Sequence, residues 1–431
     1  MSRTALLAAL LLVACGKEGP PPRNLLILCV DTLRADELGA YGRAPSVTPA
    51  LDALAAGSVV FERAHAAASW TLPSVGALFT SAYPSTTKLW SFDSRLDESF
   101  TTLAERFRAG GYATHGIASH VFFDGAYGLQ QGFASFDDEL CHRGGDEGWK
   151  PITSPDVSRK AIEWLQARAS TPSAAPWLLF VHFFDPHWLY LDHEGTSLAD
   201  ESRSERERYR SEIAFTDRHV GALLAALEES GLAATTNVLF FSDHGESFQE
   251  HPGIQRHSYS LYEAELRVPL FLRVPGVAPR RVAPSVRTVD LLPTLLELHG
   301  LAPAEEPLEG VSLVPLLEGG ALAPREHLAE IRLKTGYHTN ALVRGRHKLI
   351  EQASVGRLSL YDLESDPEER VDLVAREPEL VAELERALRA KVREAEARGE
   401  RFGVGGVVET SPAELELLQK LGYGGDDGDD E

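Results

Sequence analysis

The chain predicts a doubly wound α/β domain, a mostly parallel sheet flanked by helices, with a smaller α+β subdomain behind it. Three apolar runs carry that prediction. Asn24–Val30, Trp177–Phe184 and Asn237–Phe241 are near-continuously hydrophobic, as strands covered by helices on both faces must be. Helical patterns alternate with them to about residue 325, and short strands separated by turns then follow one another, which suggests an antiparallel sheet. All three runs lead into residues that can ligate or titrate. These are Asp31, then Asp185-Pro186-His187, and, after Ser242, Asp243-His244-Gly245-Glu246. In open sheets of this kind the ligand crevice lies beyond the carboxyl ends of the strands. Acids and histidines far apart in sequence are therefore expected at one edge.

From the N-terminus, Arg3 precedes an apolar stretch, Ala5–Val13, that closes in Leu12-Val13-Ala14-Cys15-Gly16. This reads as an export signal, too short to span a bilayer. Its end resembles a bacterial lipobox, which implies lipidation of Cys15 and a lipoprotein anchored to the membrane and facing the periplasm or the cell exterior. A plain secretory signal is the alternative. Lys17–Arg23 contains three prolines and reads as a stiff tether. Pro49–Ala56 is expected to be a helix, Val59–Phe61 a strand, and Thr71–Ser81 a helix N-capped by Thr71 with Pro73 in its first turn. Thr101–Ala109 is the next helix, stopped by Gly110-Gly111, and Ala113–Ser119 the next strand. Asp156–Ala167 and Tyr209–Ser230 are the clearest helices. In the second part, His338–Arg344, His347–Gln352 and Leu358–Leu363 read as strands, Glu377–Gly399 as a long charged helix and Ser411–Leu421 as a short one. The expected organisation is signal peptide 1–15, tether 16–23, catalytic domain 24–325, C-terminal subdomain 326–423 and a disordered acidic tail 424–431.

Composition narrows the function. The chain has 431 residues and a formal charge of -22, with no basic stripe, so a nucleic-acid surface is excluded. The same charge repels an anionic substrate, and a local cation must reverse the sign inside the cleft. Once Cys15 is set aside, Cys29 and Cys141 remain and read as free rather than bridged.

Two carboxylates and an imidazole, Asp31, Asp243 and His244, suit a divalent metal ion with positions left open for substrate and nucleophile. Calcium or magnesium fits the oxygen donors, while His244 admits manganese or zinc. A hydroxyl at the start of a helix, Thr71, sits where free N–H groups and the helix dipole favour negative charge. With a metal beside it, Thr71 becomes a candidate nucleophile, and Ser74, one turn in, a second donor. His187 and His257 could donate to the transferred group or protonate the leaving oxygen, as side chains titrating near neutrality do. His182 reads as a satisfied core histidine. A second metal could draw only on Asp185, His187 and His257.

Motifs along nearly the whole chain resemble the sulfatase family of the alkaline phosphatase superfamily. They are Val30–Gly42, Ser69–Ser85, Gly111–Ser119 with Gln131–Asp138, Phe180–Tyr190, Phe241–Glu250, His257–Pro269, Asp290–Leu295, Arg346–Ile350 and Leu360–Leu373. The resemblance implies an alkaline-phosphatase-like fold and a metal-dependent hydrolase of small-molecule or glycan esters. Asp31, Asp243, His244 and Thr71 would surround one divalent ion, calcium by family. Thr71 would stand at the nucleophile position, and His187 and His257 would contact ester oxygens. The departures are specific. Typical members carry Cys-x-Pro-Ser-Arg, or Ser for Cys, and convert that residue to formylglycine. This chain has Thr71-Leu72-Pro73-Ser74-Val75, and threonine oxidation can give only a ketone. Thr32 stands where many members have a second aspartate, and Ser258 where they have a lysine. The expectation is therefore a hydrolase of sulfate or phosphate/phosphonate esters with Thr71 as nucleophile. The alternatives are a strict sulfuric ester hydrolase, arylsulfatase-like, and a catalytically inactive binding lipoprotein on the same fold.

Overall fold

The computed structural model describes residues 23–141, 152–171, 175–193, 203–303, 308–421 and 423. The signal segment with Cys15 and the acidic tail lie outside these residues. Eight strands form one sheet: β1 (Asn24–Val30), β2 (Val59–Phe61), β3 (Ala113–Ile117), β4 (Ser135–Asp137), β5 (Trp177–Phe183), β6 (Thr236–Phe241), β7 (Leu270–Arg273) and β8 (Arg280–Val282). Their order is β8-β2-β7-β6-β1-β5-β3-β4. The pairs β1–β5, β1–β6, β3–β5, β3–β4 and β2–β8 are parallel. Antiparallel β7, between β2 and β6, breaks the pattern.

The strands are apolar because both faces are covered. On β1, Leu25, Ile27 and Cys29 point into one core and Leu26, Leu28 and Val30 into the other. Helices α2 (Thr71–Thr80), α3 (Leu103–Ala109) and α6 (Leu291–Leu298) cover the first face, while α1 (Pro49–Ala56), α4 (Ser154–Ala169) and α5 (Glu205–Glu229) cover the second. Helix α5 starts earlier than its apolar pattern suggests. A reciprocal capping box between Ser204 and Glu207 satisfies its first free N–H groups.

The C-terminal sheet is antiparallel and has four strands in sequence order: β9 (Glu326–Arg332), β10 (His338–Arg344), β11 (His347–Gln352) and β12 (Arg357–Asp362). Helix α7 (Pro378–Gly399) lies on it through Leu384, Leu388 and Val392, against Leu342, Leu349 and Leu360. Strand β9 was not anticipated, since Glu-His-Leu-Ala-Glu-Ile-Arg mixes helix formers into a weak alternation. Buried Lys348 pins β11 to the first part of the chain, 2.9 Å from both Glu263 and Glu369. The last helix, α8, spans Pro412–Lys420.

Candidate active site

Parallel register aligns the three strand ends. Val30 pairs with Phe183 and Cys29 with Phe241, so Asp31, His187 and the Asp243-His244 pair leave the sheet at one edge. Each turn is locked in place. Thr32 takes a left-handed conformation, φ 53, unusual for a β-branched residue. Tyr209 holds it by donating to its carbonyl at 2.7 Å, and Leu33 N–H donates to Ser242 at 2.9 Å. After β6, the chain presses so closely on Ala264 that a Cβ at position 245 would lie 2.1 Å from its carbonyl oxygen. Only glycine fits there.

Asp31, Asp243 and His244 each place a ligating atom within 4.8 Å of the others, all fully buried. His244 Nδ1 faces the Gly245 carbonyl at 3.0 Å. A carbonyl only accepts, so Nδ1 carries the proton and the lone pair on Nε2 faces inward. That lone pair looks at Asp31 Oδ1 (3.5 Å), Asp243 Oδ2 (3.6 Å) and Thr71 Oγ1 (3.3 Å). Both Asp31 oxygens and Asp243 Oδ2 are buried without a hydrogen-bond partner. Electron-rich atoms without donors in a dry pocket are costly, and one divalent cation would satisfy them together. The donor set therefore fits a metal. Burial, and then the neighbouring Asp243 and Glu246, pushes the Asp31 carboxyl well above its ordinary range. Burial lifts Asp243 to about 7.

Thr71 is the first residue of α2, and Trp70 rather than Thr71 is the N-cap. That corrects the capping expectation. Freed from capping, the Thr71 hydroxyl turns toward His244. Ser74 does not act as the expected second donor into the site. Its hydroxyl donates to the Asp243 carbonyl at 2.6 Å and ties α2 to the end of β6.

His187 and His257 do meet, through Tyr423. The Tyr423 hydroxyl lies 3.1 Å from His187 Nε2 and 3.0 Å from His257 Nε2. His257 Nδ1 is held by Glu246 at 3.1 Å, and Tyr190 donates to the same carboxylate at 2.7 Å. His187 Nδ1 donates to the Trp188 carbonyl at 2.8 Å. Burial drives His187 and His244 well below the usual histidine range, so His187 is neutral and does not titrate near pH 7 as expected. His182 is not a satisfied core residue. Neither of its ring nitrogens has a hydrogen-bond partner, and Nε2 lies 3.4 Å from Asp31 Oδ2. Asp185 is turned away from the site. One of its oxygens takes Thr153 N–H at 3.2 Å and Ser154 N–H and hydroxyl at 2.7 and 2.5 Å, which leaves little for a second metal.

Sequence reasoning missed His120, whose Nε2 is 3.4 Å from the Tyr423 hydroxyl. It follows β3, the neighbour of β5, and the strand-end rule that found the other residues applies to it as well. His120 Nδ1 accepts from Phe122 N–H, so its neutral form keeps the proton on Nε2, aimed at Tyr423. Cys29 and Cys141 are both buried and free.

Comparison with known proteins gives the family. A family model described as Sulfatase matches residues 23–301, more than half of the chain. A second, described as N-sulphoglucosamine sulphohydrolase, C-terminal, matches residues 256–398. Human arylsulfatase A is 28% identical over 380 residues, covering 74% of this chain and 72% of the relative. The Delta 4,5-hexuronate-2-O-sulfatase of Bacteroides thetaiotaomicron is 26% identical over 441 residues, covering 85% of this chain and 88% of the relative. Among solved structures, the phosphonate monoester hydrolase of Agrobacterium radiobacter superposes with a TM-score of 0.69 at 24% identity, covering 88% of this chain and 96% of that one.

Proposed function

Because this chain belongs to the sulfatase family of ester-bond hydrolases, we propose that it cleaves sulfate or phosphate/phosphonate esters with the hydroxyl of an unmodified Thr71 as nucleophile. One observation carries the reading: the Thr71 hydroxyl lies 3.3 Å from His244 Nε2, where Asp31 and Asp243 converge. Asp31, Asp243 and His244 would hold one divalent cation, with Thr71 beside it, and that ion would neutralise the acid pair and acidify the threonine hydroxyl. Oxygen-rich donors favour calcium or magnesium, with manganese or zinc admitted by His244.

Thr71 gives up its hydroxyl proton to water and attacks in line, forming a bond from Oγ1 to phosphorus or sulfur as the bond to the ester oxygen breaks and that oxygen departs. The start of α2 places Thr71 at the positive end of a helix ten residues long, which favours the charge gathering there. His257, with Nδ1 held by Glu246 at 3.1 Å, is placed to hand a proton from Nε2 to the leaving oxygen. Water then hydrolyses the covalent enzyme. Ser74 keeps α2 against the end of β6 so that the nucleophile stays aimed.

Two sets of observations pull the substrate in different directions. Relatives named arylsulfatase and 2-O-sulfatase favour a sulfate ester of a small molecule or glycan. Thr71 and Val75, in place of the formylglycine precursor and the family's arginine, favour phosphorus, as does the likeness in fold to a phosphonate monoester hydrolase. The Cys15 motif supports export and lipid anchoring, on the outer face of a bacterial membrane. Purified protein with several divalent metals should turn over at least one of nitrophenyl sulfate, phosphate monoester, phosphodiester or phosphonate monoester. Mass spectrometry of the tryptic peptide carrying Thr71 should show unmodified threonine. A site without turnover and without bound metal in elemental analysis leaves a binding lipoprotein instead.

A further inference from the structure

We propose that Tyr423 is a tethered, displaceable occupant of the ester pocket, so that the described state is the closed form of the enzyme. This inference rests on the ester-hydrolase reading above. Asp31, Thr71, Asp243 and His244 have no exposed surface, and His187 and His257 retain only 2% and 3%. A nucleophile closed off in this way cannot meet a substrate until something moves. Tyr423, itself fully buried, is in the way. Its hydroxyl sits among the Nε2 atoms of His187, His257 and His120 at 3.1, 3.0 and 3.4 Å, and the Thr71 hydroxyl is among the neighbours that act on it. That is where an ester oxygen would have to lie to touch both the nucleophile and the histidines.

The hydrogen bonds are complementary. His120 offers a proton from Nε2, and His187, with its proton committed to Trp188 at Nδ1, offers a lone pair. A phenol hydroxyl accepts one and donates the other. Trp70, Phe92 and Phe122 surround the ring, with centroids 6.3, 5.4 and 5.1 Å away.

The occupant is mounted so that it can leave. Helix α8 has nine residues and buries only Glu414, Leu417 and Leu418. A helix this short has little stability of its own. From Arg401 to Ser411 the chain leading to it is largely exposed and buries only Val408. Behind the ring lies a cavity of about 230 Å³ bounded by Phe92, Tyr259, Tyr337, Leu415 and Leu418, so one side of the seat is loosely filled. Among the described residues, its backbone anchors include Tyr423 N–H to the Leu418 carbonyl at 2.7 Å and Trp188 Nε1 to the Lys420 carbonyl at 3.1 Å. Trp188 follows His187, so the same loop carries an ester-binding histidine and the latch. Both family matches end by residue 398, so α8 and Tyr423 lie outside them.

The test is binding of inorganic phosphate and inorganic sulfate by calorimetry in calcium buffer, on full-length wild type, Tyr423→Ala and Tyr423→Phe. A closed state favoured ten to one weakens apparent affinity by about tenfold. Tyr423→Ala should therefore bind at least one of the two anions about tenfold more tightly or better, and Tyr423→Phe, which keeps the ring and loses the hydroxyl, should fall between. Amide exchange across α8 should quicken when wild type binds the anion. On any ester that is turned over, KM should fall in Tyr423→Ala with kcat held. If no variant turns over any ester, the hydrolase reading fails, and the anion affinities still decide the plug. Equal affinities in all three proteins overturn the proposal. So does weaker binding with lower kcat in Tyr423→Phe, which would make the hydroxyl part of the working site. If Tyr423→Ala fails to fold, Tyr423→Phe alone carries the comparison.

Discussion

Asp31→Asn should make the protein harder to melt in chelator and indifferent to divalent cations. The ligating atoms of Asp31 and Asp243 lie within 4.8 Å of each other. At a pH above the raised values of both carboxyls, where both are ionised, repulsion at that distance is about 3 kcal/mol at an effective dielectric constant near 20. The amide keeps the shape and removes that term. A melting entropy of about 2.1 cal/mol/K per residue over 431 residues turns about 3 kcal/mol into a rise of about 3 °C. In wild type, a cation present at a hundred times its dissociation constant adds about 2.7 kcal/mol, a similar rise from the same starting point. Differential scanning calorimetry in EGTA and EDTA, then with calcium, magnesium, manganese or zinc in turn, separates the two effects. The expected pattern is a higher starting Tm for Asp31→Asn and a cation response confined to wild type. Equal cation responses in wild type, Asp31→Asn and Asp243→Asn would refute the site. A lower Tm for Asp31→Asn in chelator would show that the carboxylate makes a favourable contact, with His182 the nearest candidate.

Thr71→Ala should keep its fold and lose turnover by about 10³-fold or more, while Thr71→Ser keeps part of it; steady-state kinetics on the best ester found gives the answer, and unchanged kcat in Thr71→Ala removes Thr71 from the chemistry. Lys348→Met leaves buried Glu263 and Glu369 facing each other without the ammonium 2.9 Å from each, and should cost about 3–5 kcal/mol in urea unfolding; a loss below about 1 kcal/mol would mean that the carboxyls are already neutral. Glu330, buried and bonded by Ser85 N–H at 3.0 Å, is raised from 4.5 to about 7 by burial. A raised carboxyl stabilises the fold below the unfolded value and loses that contribution as pH rises through 7. Glu330→Gln should therefore exceed wild type by up to about 3 kcal/mol at pH 8, with the gap closing toward pH 4.5; a gap independent of pH would rule this out.

The sheet edge was legible because its signals are local. An apolar run that stops at an acid needs no tertiary context, so Asp31, Asp243 and His244 could be placed together from sequence. The same logic extends to His120, but Ala113–Ile117 is only half apolar and its histidine looks like ordinary loop chemistry. His182 was misjudged because burial in a strand says nothing of what the ring faces; here it faces Asp31. Thr71 was expected to cap its helix, whereas Trp70 is the N-cap and the Thr71 hydroxyl turns toward His244. Nothing local marks Tyr423. It reaches the site by docking α8 onto residues some three hundred positions earlier, and the pattern of α8 reports only that one face is apolar. Strand β7 entered the sheet antiparallel for a related reason: a four-residue strand, Leu-Phe-Leu-Arg, does not encode its direction.

Charge in the pocket argues for a particular kind of ester. On the sequence resemblance Val75 and Ser258 stand where the family has arginine and lysine, burial holds His187 well below the usual histidine range, and the chain carries a net -22. With one divalent ion between Asp31 and Asp243, the centre would be close to neutral, and His257 Nδ1 faces Glu246 at 3.1 Å. Such a pocket offers little to a second negative charge. Sulfate esters, phosphodiesters and phosphonate monoesters carry one negative charge at the reacting group at neutral pH, whereas a phosphate monoester carries nearly two. The buried site penalises the extra charge. At pH 8, kcat/KM should therefore be higher for a nitrophenyl phosphonate monoester, phosphodiester or sulfate than for the nitrophenyl phosphate monoester, and lowering the pH toward 6 should narrow the gap as the phosphate monoester gains a proton. Installing the missing cation, Val75→Arg or Ser258→Lys, should raise the phosphate monoester more than the others. A wild-type preference for the dianion at pH 8 would mean that the pocket holds positive charge not accounted for by Asp31, Asp243, His244 and one metal ion.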